Sequence, residues 1–360
     1  MSVEMAWFSA LCDDDYEFLG VEDVDLQSSF PHCRNIVTTA DRYGFDNVLL
    51  PSGYTLGIDN TTFAAGMAGL TQQIRMLLAV RMGELVVPQA ARQLATLDQM
   101  LGGRLDINII SSDVPGETLD SEPRYRRSTE IMYVLRELLD GRSVDFRGDF
   151  VDLRIDPPRI RTVSGKSPLF YFGGLSPAAR DCAAAAADVF LMWPDTIDKV
   201  REVKADMDAR AAAKGRSLAY GWRSHVIVRE TEDAARAAAA RLLSKFEVEV
   251  GEEIRHRSLD TNSSGVANQV ALRDASDDDG YVERHLWTGI GRARSGAGAA
   301  IVGDPDQVLG KINELIDAGM GAFILSGYPH AAECDLFARH VLPHIDHGRL
   351  EHIASPIVLD

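Results

Sequence analysis

IRMLLAVRMGELVVPQAARQLATLDQMLGGRLDINII, residues 74–110, holds one strand–helix–strand unit. Ile74–Arg81 is a short run dominated by apolar residues, as in a strand of a parallel sheet covered on both faces. Pro88 suits a first helical position, and Ala91–Leu101 carries the apolar stripe behind it. Gly102-Gly103 stops the helix, and Leu105–Ile110 is the next strand. The same alternation extends both ways. Upstream, Val3–Ser9 and Phe45–Pro51 read as strands, with Phe30–Tyr43 and Thr61–Leu70 helical. Downstream, the helix Glu122–Leu139 precedes an irregular stretch, Arg142–Lys166, that suits a hairpin with Val144–Phe146 as one edge. The alternation then resumes with strands Leu169–Phe172, Val189–Trp193, Tyr220–Arg229 and Ala322–Ser326. Helices are expected over Pro177–Ala186, Thr196–Lys214, Glu232–Leu243, Asp306–Ala318 and Glu333–Val341.

Eight strands separated by helices predict a closed (β/α)8 TIM barrel, with an open doubly wound sheet as the alternative. No G-x-G-x-x-G follows the first strand, which counts against a dinucleotide-binding half. The barrel is expected to occupy 1–348 as one domain, with 349–360 a C-terminal tail. Gly251–Gly291 breaks the repeat: it is polar and carries the acidic run Asp274–Asp279. A long loop in a compact domain is either a mobile lid over an active site or a solvated insertion.

Composition bounds the partners. The 360 residues are 46% hydrophobic and 25% charged, which suits a globular core. A net charge of -17 disfavours nucleic acid and anionic membranes. No signal peptide or membrane-spanning run is evident. Cys12, Cys33, Cys182 and Cys334 are scattered, which predicts no disulfide framework and a cytoplasmic setting. The histidines have no metal-ligand spacing, so no metal is expected.

In a barrel, chemistry comes from the C-terminal strand ends. Arg223 and His225 lie two apart on one strand and share a face. Facing inward, they put a permanent cation beside a group that titrates near neutrality; facing outward, they pair with a helix. The turn Gly173-Gly174-Leu175-Ser176 enters a helix and reads either as an anion site or as an ordinary N-cap before Pro177. Arg292 and Arg294 sit in a Gly-rich loop, where they reach an anion or stay on the surface. Tyr328 and His330 follow the last strand, where a phenol and an imidazole can steer protons, although His330 also suits a capping or surface role.

Five stretches in this order carry a resemblance: AARQLATLDQMLGGRLDINII (90–110), LFYFGG (169–174), SHVIVRETEDAA (224–235), LWTGIGRARSGAGAAIVGD (286–304) and ILSGYPH (324–330). From Met5 to about Ile345 the chain resembles the bacterial luciferase-like flavin monooxygenases, and within them the two-component alkanesulfonate monooxygenases. The resemblance implies reduced FMN from a separate NAD(P)H-dependent reductase and O2 as co-substrate. The chemistry implied is a flavin C4a-(hydro)peroxide that oxygenates a small organic substrate, with carbon–sulfur cleavage to an aldehyde and sulfite when that substrate is a sulfonate. Homodimers or homotetramers are usual in the family. Arg223, His225, Arg294, Tyr328 and His330 match its catalytic positions. Asn108, Tyr125, Gly174, Leu175 and Ser176 fall at the flavin, and Trp193, Tyr54 and Leu56 at the substrate.

Two departures bear on the substrate. Ser52-Gly53-Tyr54-Thr55-Leu56 lacks the cysteine that alkanesulfonate enzymes carry in this run. Cys12-Asp13-Asp14-Asp15 replaces the usual first loop and sets three carboxylates near an anion site, which is awkward unless they point to solvent. A non-sulfur substrate (an amine, heterocycle, ketone or alkane) is therefore the alternative within the family. A deazaflavin-dependent oxidoreductase on the same barrel is the alternative beyond it.

Overall fold

A computed structural model of the chain describes residues 2–247, 263–294, 296–351 and 354–359. Eight parallel strands form the closed barrel: β1 (Glu4–Phe8), β2 (Asn47–Leu50), β3 (Arg75–Arg81), β4 (Leu105–Ile110), β5 (Phe170–Phe172), β6 (Val189–Met192), β7 (Ala219–Val228) and β8 (Ala322–Ser326). Each pairs with the next, β8 pairs with β1, and the β7–β8 register runs from Gly221 opposite Ala322 to His225 opposite Ser326. The closed ring excludes the open-sheet alternative.

The strands bury both faces, and their alternation separates two apolar layers. Trp7, Val48, Leu50, Ile107, Phe172, Trp222 and Phe323 pack outward into the layer shared with the helices. Ala6, Phe8, Leu49, Leu77, Tyr171, Val189 and Ile324 fill the barrel. Polar residues take the lower interior: Arg75 grips Asp106 through two bonds of 2.6 and 3.0 Å, and Tyr171 donates to Glu4 at 2.9 Å. The described part of 349–360 lies against the barrel. Arg216 donates to the Pro356 carbonyl at 2.9 Å, and Leu350 and Ala354 pack on the interior cluster.

The expected hairpin forms from Val144–Arg147 and Asp152–Ile155. Of the segment read as a lid or insertion, 263–291 are described, while 251–262 lie outside the described residues. Helix Ser264–Asp274 is followed by short antiparallel strands, Tyr281–Glu283 and Leu286–Trp287. They continue into Ala300–Gly303, a strand that pairs with the upper half of β7, Ala300 opposite His225. This appendage extends the sheet above β7 and brings the Gly-rich loop over the barrel mouth.

Candidate active site

The parity of β7 settles the facing of its polar pair. Trp222 packs outward, so Arg223 and His225 point into the barrel, where they are 4% and 0% exposed. The Arg223 guanidinium lies 4.4 Å over the Phe8 ring, a favourable cation–π distance. Its Nη1 donates to the Ser224 carbonyl at 2.6 Å, and Nη2 is enclosed without a partner. Burial, then repulsion from Arg294, pushes Arg223 down to about 9, so it is still a cation at neutral pH. Burial, then Arg223 and Arg294, holds His225 well below the ordinary imidazole range. His225 is thus neutral, and neither ring nitrogen has a partner.

His225 stacks on Tyr328, centroids 5.1 Å apart. Burial raises Tyr328, which keeps it a phenol. Its hydroxyl accepts from Arg294 Nη1 at 2.9 Å, and the same nitrogen reaches Asp14 Oδ2 at 2.7 Å. Burial alone would lower Arg294, but Tyr328 and Asp14 outweigh it and raise the group, so the cation is fixed. Arg292, by contrast, is exposed. His330 does not cap its helix: its Nδ1 lies 3.1 Å from the Phe8 carbonyl oxygen. A carbonyl only accepts, so the ring donates through Nδ1, and Nε2 is enclosed without a partner.

The acidic first loop does not turn to solvent. Asp13 accepts from Ser28 N and Gly57 N, tying the loops after β1 and β2. Asp15 accepts from the backbone of Tyr16 and His330 and pairs with His32 at 3.0 Å. Of the three, Asp14 is the one bonded to the side chain of a catalytic candidate, Arg294.

Beside this cluster lies a cavity of about 400 Å³, within the usual range for a bound small molecule or cofactor. Asn108, Tyr125, Gly174, Leu175, Ser176, Trp193 and Arg223 line it; His225, Arg294, Tyr328 and His330 are not among its lining. The Gly173–Ser176 turn offers a bare-backbone cradle that a phosphate would fit. A Cβ on Gly173 would meet the Leu191 carbonyl oxygen at 2.7 Å, and one on Gly174 would meet the Ala179 methyl at 2.6 Å. The bare backbone leads into helix Pro177–Ala186, whose N-terminus favours an anion. Ser176 also caps that helix through Ala179 N, so the two sequence readings of this turn are compatible.

Arg124 and Lys199, in the first turns of the helices after β4 and β6, also line the cavity and were not singled out from sequence. Trp193 stands against Gly265 and Gly296, where the appendage meets the sixth strand end. Gln269 fastens this contact, donating to the Pro194 carbonyl and accepting from Gly298 N. Tyr54 is 71% exposed and Leu56 half-buried in the loop after β2; neither lines the cavity. Among the described residues no group of three or more His, Cys, Asp or Glu side chains is arranged to hold a metal ion.

Barrel, cavity and inward Arg-x-His make a candidate TIM-barrel active site at the C-terminal strand ends. Residues 18–321 match the luciferase-like monooxygenase family, and the chain belongs to it. It is 63% identical to a sulfoquinovose monooxygenase of Novosphingobium aromaticivorans, covering 96% of this chain and 98% of that one. A sulfoquinovose monooxygenase of Agrobacterium fabrum is 48% identical, covering 98% of this chain and 92% of the other. Among solved structures, riboflavin lyase with modified FMN and riboflavin superposes with a TM-score of 0.79 at 16% identity, covering 96% and 91%. No helix among the described residues is long and apolar enough to cross a membrane.

Proposed function

We propose that this protein is an FMN- and O2-dependent monooxygenase that cleaves the carbon–sulfur bond of a sulfonated sugar of the sulfoquinovose type. One observation carries the reading. Two fixed cations, Arg223 and Arg294, meet over the Phe8 ring of a strongly acidic protein, and Arg223 Nη2 and Arg294 Nε are enclosed without partners. Such donors suit a permanent oxyanion. The 63% identity to a sulfoquinovose monooxygenase supports the same substrate.

Asn108, Tyr125, Gly174, Leu175 and Ser176 would hold FMN, with its phosphate at the helix N-terminus. Reduced FMN, delivered by a separate NAD(P)H-dependent reductase, supplies the two electrons that activate O2. One oxygen atom ends in the product and the other in water; the carbon leaves as an aldehyde and the sulfur as sulfite. Arg223 and Arg294 hold the sulfonate. Neutral His225 accepts a proton beside them, and Tyr328 and His330 fix the geometry. All four cysteines are free, which suits a reducing cytoplasm. We expect a homodimer or homotetramer, as is usual in the family.

The test is a screen with flavin reductase, NADH, FMN and air, scoring sulfite and oxidised product by mass. A sulfonated sugar should release sulfite well above a plain alkanesulfonate or an unsulfonated sugar. Oxidation of an unsulfonated compound with no sulfite from any sulfonate would move the protein to the non-sulfur alternative.

A further inference from the structure

Resting on the reading that this site takes a sulfonate, we propose that Asp14 selects a hydroxylated sulfonate over a plain alkanesulfonate, accepting a substrate hydroxyl on Oδ1. The loop after β1 aims this carboxylate. Asp13 on one side is held by Ser28 N and Gly57 N, and Asp15 on the other by Tyr16 N and His330 N. Asp14 between them uses only Oδ2, at 2.7 Å from Arg294 Nη1. Its Oδ1 is enclosed with no partner.

The surrounding atoms show what is missing. Arg223 Nη2 and Arg294 Nε are enclosed, unpartnered donors, and His330 Nε2 is enclosed without a partner. Arg223 and His330 are themselves 4% and 0% exposed. Arg223, Arg294 and His330 gather on Phe8: the two guanidinium carbons lie 4.4 and 5.3 Å from its ring centroid, and the imidazole centroid is 5.6 Å away. A sulfonate supplies acceptors for the arginines but no donor for Asp14. A sugar sulfonate supplies both, the anion at one end and hydroxyls beside it. An alkyl chain in the same place would leave a buried carboxylate oxygen unsatisfied, and sites built to bond a substrate hydroxyl reject the analogue that lacks it. Asp14 is thus a cost against an apolar sulfonate and a contact for a hydroxylated one. This also accounts for a carboxylate at an anion site: Arg294 neutralises it, and the anion is left to the free edges of the arginines.

The experiment compares sulfoquinovose with hexanesulfonate, of equal carbon count. On the wild-type protein, binding is followed by tryptophan fluorescence, since Trp193 lines the cavity. Sulfoquinovose should bind at least about tenfold more tightly. Equal affinity overturns the role of Asp14 while leaving the sulfonate reading standing; binding of neither overturns both. With flavin reductase, D14A should lower the sulfoquinovose-to-hexanesulfonate ratio of kcat/KM by roughly 10- to 100-fold. D14N, which keeps an acceptor oxygen, should lower it less. A ratio that stays constant in D14A while both rates fall would make Asp14 a positioning residue for Arg294 only.

Discussion

Glu4 offers a prediction about the barrel itself. It is fully buried in the lower interior, accepting from Tyr171 at 2.9 Å and contacted by Asn47 at 3.5 Å. Arg75 is committed to Asp106 and provides Glu4 no direct bond. Burial first, then the charges of Asp106 and Asp46, push Glu4 from 4.5 up to about 7; the Tyr171 bond opposes them. A raised acid keeps its proton in the folded state after the unfolded chain has released it. Its contribution is therefore complete below 4.5 and lost as pH rises through 7. Between pH 5 and pH 8 the loss amounts to at most about 2.5 kcal/mol. Glu4→Gln mimics the neutral acid and has nothing to lose. Urea unfolding of both proteins from pH 5 to pH 8 should show E4Q gaining on the wild type by up to that amount at the alkaline end. Parallel stability curves would refute the buried-acid reasoning.

Further outcomes follow from the site and the shell. Gly174→Val drives a branched side chain into Ala179, so affinity for reduced FMN should fall at least about tenfold by fluorescence titration, with unchanged circular dichroism. Wild-type affinity in G174V would remove the turn from the cofactor. His225→Ala should lower turnover by about 10²- to 10⁴-fold with the fold intact; more than a tenth of wild-type activity would rule out a proton-transfer role. Arg136→Ala removes the two-bond partner of Asp188, which it bonds at 3.0 Å in the buried shell, leaving it Arg216 at 3.8 Å and the Phe170 amide. Urea unfolding should show a loss of about 3–5 kcal/mol, and a loss below 1 kcal/mol would contradict it.

The barrel was legible because its strands are short apolar runs punctuated by glycine and proline, from Ile74–Arg81 to Ala322–Ser326. The facing of Arg223 and His225 was not legible, because a parallel barrel strand is covered on both sides and its alternation does not label inside and outside. The strand Ala300–Gly303 escaped notice inside a Gly- and Ala-rich run; it is specified by pairing with β7 some 75 residues earlier. Helix Ser264–Asp274 carried a local sign, Ser263 accepting from Val266 N, that the polar composition around it obscured. Asn108 and Tyr125 entered through family resemblance and Ser176 first as part of the helix-entry turn, and the structure gathers them on one cavity. Asp14 read as an obstacle to an anion, because sequence gives no hint that its neighbours on both sides are tied to backbone amides while it faces Arg294.

A single turnover tests the central claim most directly. The protein is mixed with FMN reduced beforehand, sulfoquinovose and O2, without reductase, and sulfite is counted against flavin oxidised. The account predicts sulfite approaching one per reduced FMN, none without O2, and a collapse when Arg223 or Arg294 is replaced by alanine. Flavin oxidation at full extent with no sulfite, in wild-type protein that binds both partners, would contradict it.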